Sequence, residues 1–346
     1  MQVFVLGYPG DVGGANTECW HTVKLWRQCG LDVTLIPHRK ADEVWRQRLA
    51  GIGAKTAAVP APNQAGTAPV PHDLPGAVAV SFCSTRIFDS AQHLRALGCR
   101  IVWVGCMNFL FAAETSYYRR HGVFDRYVFQ SRYQRDQLQP LLRPFGYQDH
   151  QGCLIRGAFA WEEFPFRPQS HVPGEVFTVG RLSRAAPDKY ARHSWQIYQR
   201  ISHPLRVRVM GWSRSVERVV GRPPAWAEVL PAGAQTPQDF MATLHALVPI
   251  NGRAIENWPR VGLEAMAAGV PVVAENMGGW PEMVCHASTG YLADTPAALA
   301  QYVSRLAGDE QHRQEVIGRA RRALEEDLAE PQAIWAGWKT LLDRLG

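Results

Sequence analysis

Short apolar runs alternate along this chain with stretches in which apolar residues recur every three or four positions. Residues 3–7 form one run. A helix-spaced stretch follows over residues 15–29, where Trp20, Val23, Leu25 and Trp26 make much of one face and Gly30 stops it. Residues 32–37 form the next run, so the chain opens as strand, helix, strand. Residues 41–55 read as a helix. Residues 56–75 are rich in Ala, Pro and Gly and read as a surface excursion without regular structure. Residues 76–83 predict a strand, 90–97 a helix, and 100–104 and 126–130 two more strands. Ser131 is placed to cap a helix running to Leu138.

The second half repeats the alternation. Strands are predicted over 175–180, 205–211, 229–231 and 247–250, with a helix over 237–244. Beyond Pro259, Leu263, Met266 and Ala267 recur at helical spacing up to Gly269, and residues 270–274 are a buried-strand run. Residues 289–292 predict a strand, and 296–307 and 310–327 amphipathic helices. A last helix over 331–345 carries Ile334, Trp335, Trp338, Leu341 and Leu342. Strands alternating with helices throughout point to an α/β chain with parallel sheets.

At 346 residues the chain has room for two domains, each with its own core. An apolar content of 46% suits a globular enzyme, and no apolar run reaches the length of a membrane span. The first residues read as a strand with no basic leader. The seven cysteines are scattered, without metal-ligand spacing, so reduced thiols and a cytoplasmic location are the expectation. The net charge of +6 suits an anionic small molecule, a membrane surface or nucleic acid, and does not choose among them.

The candidate chemistry lies in residues 251–282, NGRAIENWPRVGLEAMAAGVPVVAENMGGWPE. A helix with Pro259 in its first turn presents the backbone N–H groups of residues 258–261 (Trp258, Pro259, Arg260 and Val261, the proline contributing none) to an anion, and Arg260 adds a cation. Glu256 precedes the helix and Glu264 lies within it. Carboxylates so placed can accept hydrogen bonds from sugar or ribose hydroxyls on either side of a diphosphate.

Glu256 and Glu264, with Gly269-Val270-Pro271-Val272 and Gly278-Gly279 after them, resemble the donor-site motif of retaining glycosyltransferases of family 4, of the glycosyltransferase group 1 type. That resemblance implies the GT-B fold: two Rossmann-like domains with a cleft between them and a C-terminal helix crossing back to the first. Its expected boundaries are 1–160 plus 331–346 for an acceptor domain and 161–330 for a donor domain. It implies a nucleoside-diphosphate sugar as donor substrate, UDP- or GDP-linked, with no further cofactor and no metal. It gives Glu256 contact with the transferred sugar and Glu264 the ribose. By the same resemblance Arg181 and Lys189, after the strand at 175–180, grip the diphosphate. Arg184 is an extra cation there.

Gly13 and Gly14, in the turn after the first strand, match the family's glycine pair facing the donor. Asp11, Asn16, Thr17 and Glu18 are weaker candidates for acceptor contacts. The family's sugar-touching histidine has no counterpart near Cys106, and Asn108 is the polar residue available there. The expected function is retaining transfer of a sugar to a hydroxyl of a small molecule, glycan or lipid-linked glycan, with peripheral membrane contact open. Alternatives are transfer to hydroxymethylated bases in DNA, a non-catalytic nucleotide-sugar binder, or a GT-B epimerase. The sequence is silent on oligomeric state and on whether Trp258 and Trp280 shape the site or pack.

Overall fold

The computed structural model describes residues 2–10, 13–37, 42–57 and 74–345. Most of the Ala/Pro/Gly-rich segment and Asp11 therefore lie outside the described residues. The chain forms two compact units, Met1–Phe159 with Pro331–Gly346, and Ala160–Glu330.

The first unit is built on a parallel sheet of β1 (Gln2–Leu6), β2 (Asp32–Ile36), β3 (Lys55–Thr56), β4 (Val78–Phe82), β5 (Arg100–Val104), β6 (Arg126–Phe129) and β7 (Gly152–Leu154), in the order 3-2-1-4-5-6-7. Its helices are α1 (Gly14–Gln28), α2 (Glu43–Gly51), α3 (Ile87–Ala96), α4 (Ala112–His121) and α5 (Arg132–Leu142). The central strands are nearly continuous apolar runs, because a parallel sheet is covered on both faces. Chain order reverses between β1 and β4. The loops leaving the carboxyl ends of those strands are where such sheets hold ligands.

The second unit repeats the plan. Its strands are β8 (Phe177–Leu182), β9 (Leu205–Trp212), β10 (Ala227–Pro231), β11 (Ala246–Leu247), β12 (Val272–Glu275) and β13 (Gly290–Ala293), parallel and ordered 10-9-8-11-12-13. Its helices are α6 (Ser194–Tyr198), α7 (Arg214–Val220), α8 (Pro237–Met241), α9 (Arg260–Ala268), α10 (Trp280–Met283), α11 (Pro296–Gly308) and α12 (Glu310–Ala323). Here the reversal falls between β8 and β11, paired through Ala246↔Val179 and Leu247↔Gly180. The last helix, α13 (Pro331–Asp343), belongs to the first unit. Its Trp338 meets Trp26 of α1 edge to face, with ring centroids 4.8 Å apart. Ile334, Trp338, Leu341 and Leu342 are the buried face of that helix, the period read from the sequence.

Several elements depart from the sequence reading. Helix α4 was not expected. Its residues AAETSYYRRH carry little apolar periodicity, and it is held by buried Tyr117, Tyr118 and Glu114, whose carboxylate accepts the Phe111 N–H at 2.6 Å. Strand β11 is only two residues long where four, 247–250, were expected. Beyond Leu247 and Val248 the chain turns to other backbone partners. Pro259 stands at the N-cap of α9 rather than inside its first turn, with φ −71° and ψ 90°.

Candidate functional site

The site in the second unit grows from two loops at the carboxyl ends of β8 and β11. After β8 the chain makes a short turn at Pro187–Lys189. Tyr190 then pairs in an antiparallel bridge with Asn251 of the other loop. Gly252 N–H donates to Lys189 O at 3.0 Å, and Ala254 N–H to Asp188 O at 2.9 Å. Gly252 is needed there: a Cβ would lie 2.4 Å from Asp188 O and 2.7 Å from both Tyr190 N and O. The Tyr190 hydroxyl donates to Gly211 O at 2.7 Å, fastening the same loop to the end of β9.

Arg181, at the end of β8, is 3% exposed. One Nη donates to Ile250 O, the other to Lys189 O, and the guanidinium carbon lies 4.4 Å over the Tyr190 ring. Arg181 is therefore aimed at the two loop backbones. Glu275, at the end of β12, braces the other side by accepting the Asn251 N–H at 2.7 Å. Burial raises its carboxyl above the usual range, while the Asn251 contacts and Arg181 act the other way.

This lacing brings two residues 67 positions apart into contact. Lys189 Nζ lies 2.6 Å from Glu256 Oε1, with the lysine 14% and the glutamate 30% exposed. Glu256 is held from behind, because its carbonyl accepts the Gly279 N–H at 2.8 Å. Gly278 and Gly279 let that loop lie against the motif: a Cβ on Gly278 would be 2.4 Å from Glu256 O, and one on Gly279 only 1.7 Å from Asn257 O.

Helix α9 starts directly beyond, at Arg260, with no side-chain cap at Pro259. An uncapped first turn leaves the positive end of the helix dipole to whatever anion lies there. Val261 stands in that first turn. Arg260 is 8% exposed and one helical turn from Glu264. Burial pushes the Glu264 carboxyl up to about 7, with Arg260 pulling the other way. Gly269 ends the helix in the left-handed conformation at φ 82°. Trp280 is 1% exposed and packs on α9, where a Cβ on Gly262 would lie 2.8 Å from its ring. Trp258 is buried at 4%.

In the first unit, Gly13 caps α1 at φ 99°, a conformation suited to glycine, and Gly14 begins the helix. Asn16 is exposed and lies against Gly10, whose Cβ would meet its amide at 3.2 Å. Asn108 donates to the Tyr133 hydroxyl at 3.4 Å. Glu18 is 2% exposed, accepts from the Gln130 amide, and lies 3.7 Å from the Cys106 thiol. The neighbouring Cys83 thiol, burial and then Glu18 raise Cys106 well above the ordinary thiol range, so it is a packed thiol. Asp11 lies outside the described residues.

Sequence reasoning assigned no role to Asn251, Gly252, Tyr190 or Glu275. Gly252, in a loop between a strand and a charged turn, was the one legible signal among them.

Residues 166–323 match the family model described as glycosyl transferases group 1. An exopolysaccharide phosphotransferase of Streptomyces coelicolor is 32% identical over 157 residues, 42% of this chain and 16% of that protein. An N-acetyl-alpha-D-glucosaminyl L-malate synthase of Bacillus anthracis is 37% identical over 82 residues, 23% of this chain and 21% of that protein. The chain thus spans about a fifth or less of the length of these curated relatives. Among solved structures, Anabaena HepE in complex with UDP-glucose superposes with a TM-score of 0.73 at 15% identity, over 99% of this chain and 100% of that one. At that identity the likeness is one of fold, GT-B. No helix among the described residues is long and apolar enough to cross a membrane.

Proposed function

We propose that this chain, whose residues 166–323 match the family model of glycosyl transferases group 1, moves a sugar from a nucleoside-diphosphate sugar to an acceptor hydroxyl with retention of anomeric configuration. The observation that carries the proposal is the meeting of Lys189 and Glu256 at 2.6 Å beside the uncapped start of α9, with Glu264 one turn into that helix. An ammonium, a helix N-terminus and two carboxylates are the groups a diphosphate flanked by hydroxylated rings requires. UDP-linked or GDP-linked donors fit this reading. The UDP-glucose seen in HepE is that protein's ligand and supports the same class here.

In this reading Lys189 and the first turn of α9 face the diphosphate. Their fixed charges stabilise the negative charge that develops as the sugar C1–oxygen bond to phosphate breaks. Arg181 sets the position of Lys189 through its carbonyl and adds its own positive field. Glu256 accepts from a hydroxyl of the sugar, and Glu264 from the ribose hydroxyls. The acceptor oxygen bonds to C1 on the face the phosphate leaves. Its proton passes to a phosphate oxygen of the departing nucleoside diphosphate, so no protein base is needed for that transfer. The reaction proceeds with chelator present, because these cations replace a metal.

The test is nucleotide release and product stereochemistry. With UDP- and GDP-sugars supplied in turn, one donor is expected to be turned over in EDTA, water or a simple alcohol serving as a slow acceptor. The glycoside formed should keep the donor's anomeric configuration by NMR. Lys189→Met is expected to lower the rate by about 100-fold or more, the scale of losing one preorganised donor to a developing anion. An inverted product, or a Lys189→Met enzyme as fast as wild type, would contradict this function.

A further inference from the structure

We infer that the Lys189–Glu256 ion pair makes the site discriminate between the loaded donor and the nucleoside diphosphate left after transfer. The inference rests on the proposed function and concerns the same site.

The pair is not two mobile side chains meeting by chance. The Lys189 backbone carbonyl is held by Arg181 and by the Gly252 N–H, and the flanking Asp188 and Tyr190 are bonded to Ala254 and Asn251. The Glu256 carbonyl is held by the Gly279 N–H, and Glu275 fixes the start of its loop at Asn251. Both backbones are therefore set, and the two charges rest 2.6 Å apart with little water around the lysine.

A phosphate arriving alone meets an ammonium already neutralised by a carboxylate. To bind, it must either share Lys189 with a like charge or displace Glu256 and leave that carboxylate without its partner. Both carry a cost, because removing one member of a half-buried pair strands the other. A nucleotide sugar changes this balance. Its sugar hydroxyl donates to Glu256, giving the carboxylate a new partner and releasing Lys189 for a charge-assisted bond to phosphate. Once the sugar has left, Glu256 returns to Lys189 and competes with the nucleoside diphosphate. The pair thus favours loaded donor on entry and hastens product release.

The experiment is calorimetric titration of wild type, Glu256→Gln, Glu256→Asp and Glu256→Gln/Lys189→Met. The probes are UDP, GDP, ADP, CDP and dTDP, and the sugar conjugate of whichever nucleotide binds. Thermal melting first checks that each variant is folded. Glu256→Gln is expected to bind the free nucleoside diphosphate about tenfold more tightly than wild type and with steeper dependence on NaCl. Its preference for the sugar conjugate over the free nucleotide should fall by at least that factor. Glu256→Asp, whose carboxylate is withdrawn by one methylene, should fall between. In the double variant the gain should vanish, because the gain belongs to Lys189. Glu256→Gln binding the free nucleotide equally or more weakly, or an equal gain in the double variant, overturns the inference. If wild type binds no nucleotide or nucleotide sugar at all, the proposed function fails instead.

Discussion

Replacing Gly279 by alanine is expected to remove activity almost completely while leaving the protein folded. Its backbone is ordinary, at φ −83°, so strain in φ plays no part. The obstacle is space. The new methyl would stand 1.7 Å from Asn257 O and 2.5 Å from that carbonyl carbon. Ordinary carbon–oxygen contact needs about twice the first distance, so one backbone must shift by more than about 1 Å, beyond what a close-packed interior absorbs without cost. Neither side yields easily: Asn257 is 5% exposed, Trp258 4% and Trp280 1%. The segment that moves most readily is the Glu256–Asn257 turn, which the Gly279 N–H now holds. A displacement of about 1 Å at a positioning loop can lower a rate by about 100-fold. The overpacking should cost about 1–3 kcal/mol in a urea titration. Gly318→Ala is the control. That helical glycine has nothing within 4 Å of its Cβ position, so alanine should add about 0.5–1 kcal/mol and leave the rate unchanged. A Gly279→Ala enzyme of near-native rate would show that the two loops are not coupled as described.

Glu264→Gln is expected to make the free protein more stable at pH 8 and a poorer binder of donor. Burial pushes this carboxyl up to about 7 from 4.5, and Arg260 recovers only part of the cost of its charge. Between pH 4.5 and 7 the unfolded chain has released the proton while the native protein still holds it. Stability from this group is therefore complete below pH 4.5, falls as pH rises, and levels off above 7. Glutamine has no charge to bury, so the gain at pH 8 should be about 1–3 kcal/mol, and it should disappear at pH 4. Donor binding runs the opposite way. Ribose hydroxyls donating to an ionised carboxylate favour the charged form, so wild-type affinity should weaken as pH falls below about 7. Loss of a charged hydrogen-bond acceptor costs about 1.5–3 kcal/mol, roughly a 10- to 150-fold weaker complex. Urea titrations at pH 4 and 8, with donor titrations at pH 6 and 8, check both halves. A destabilised Glu264→Gln protein at pH 8, or wild-type binding flat between pH 6 and 8, would contradict this account of Glu264.

How much of this was legible depended on whether an interaction is local. Gly269 and the recurrence of Leu263, Met266 and Ala267 mark α9 because a helix is written in neighbouring residues. The two parallel sheets follow from apolar runs separated by helical segments. Helix α4 was invisible because its buried face is made of Tyr117, Tyr118 and Glu114, which no apolar period reveals. Strand β11 read too long because Ile250 is as apolar as a strand residue, yet its carbonyl serves Arg181 instead of a ladder. Arg181 and Lys189 stood out as cations after a strand, but the direction of the Arg181 side chain is a tertiary fact. So is the bond between Glu18 and Gln130, 112 positions apart. Glu275 is the polar residue that closes the apolar run 270–274, and only the fold shows it holding Asn251.

The most direct test of the central claim, that Lys189, Glu256, Glu264 and the start of α9 form a nucleotide-sugar site, is thermal unfolding with a panel of UDP-, GDP-, ADP-, CDP- and dTDP-sugars. A donor present at about 100 times its dissociation constant adds about 2.7 kcal/mol of stability. That is a rise of several degrees for a chain of this size. The account predicts such a rise with one nucleotide class, cut to about half or less in both Lys189→Met and Glu264→Gln. A panel that leaves the midpoint of the folded wild type unmoved, or a rise that stays at full size in both substitutions, would contradict it.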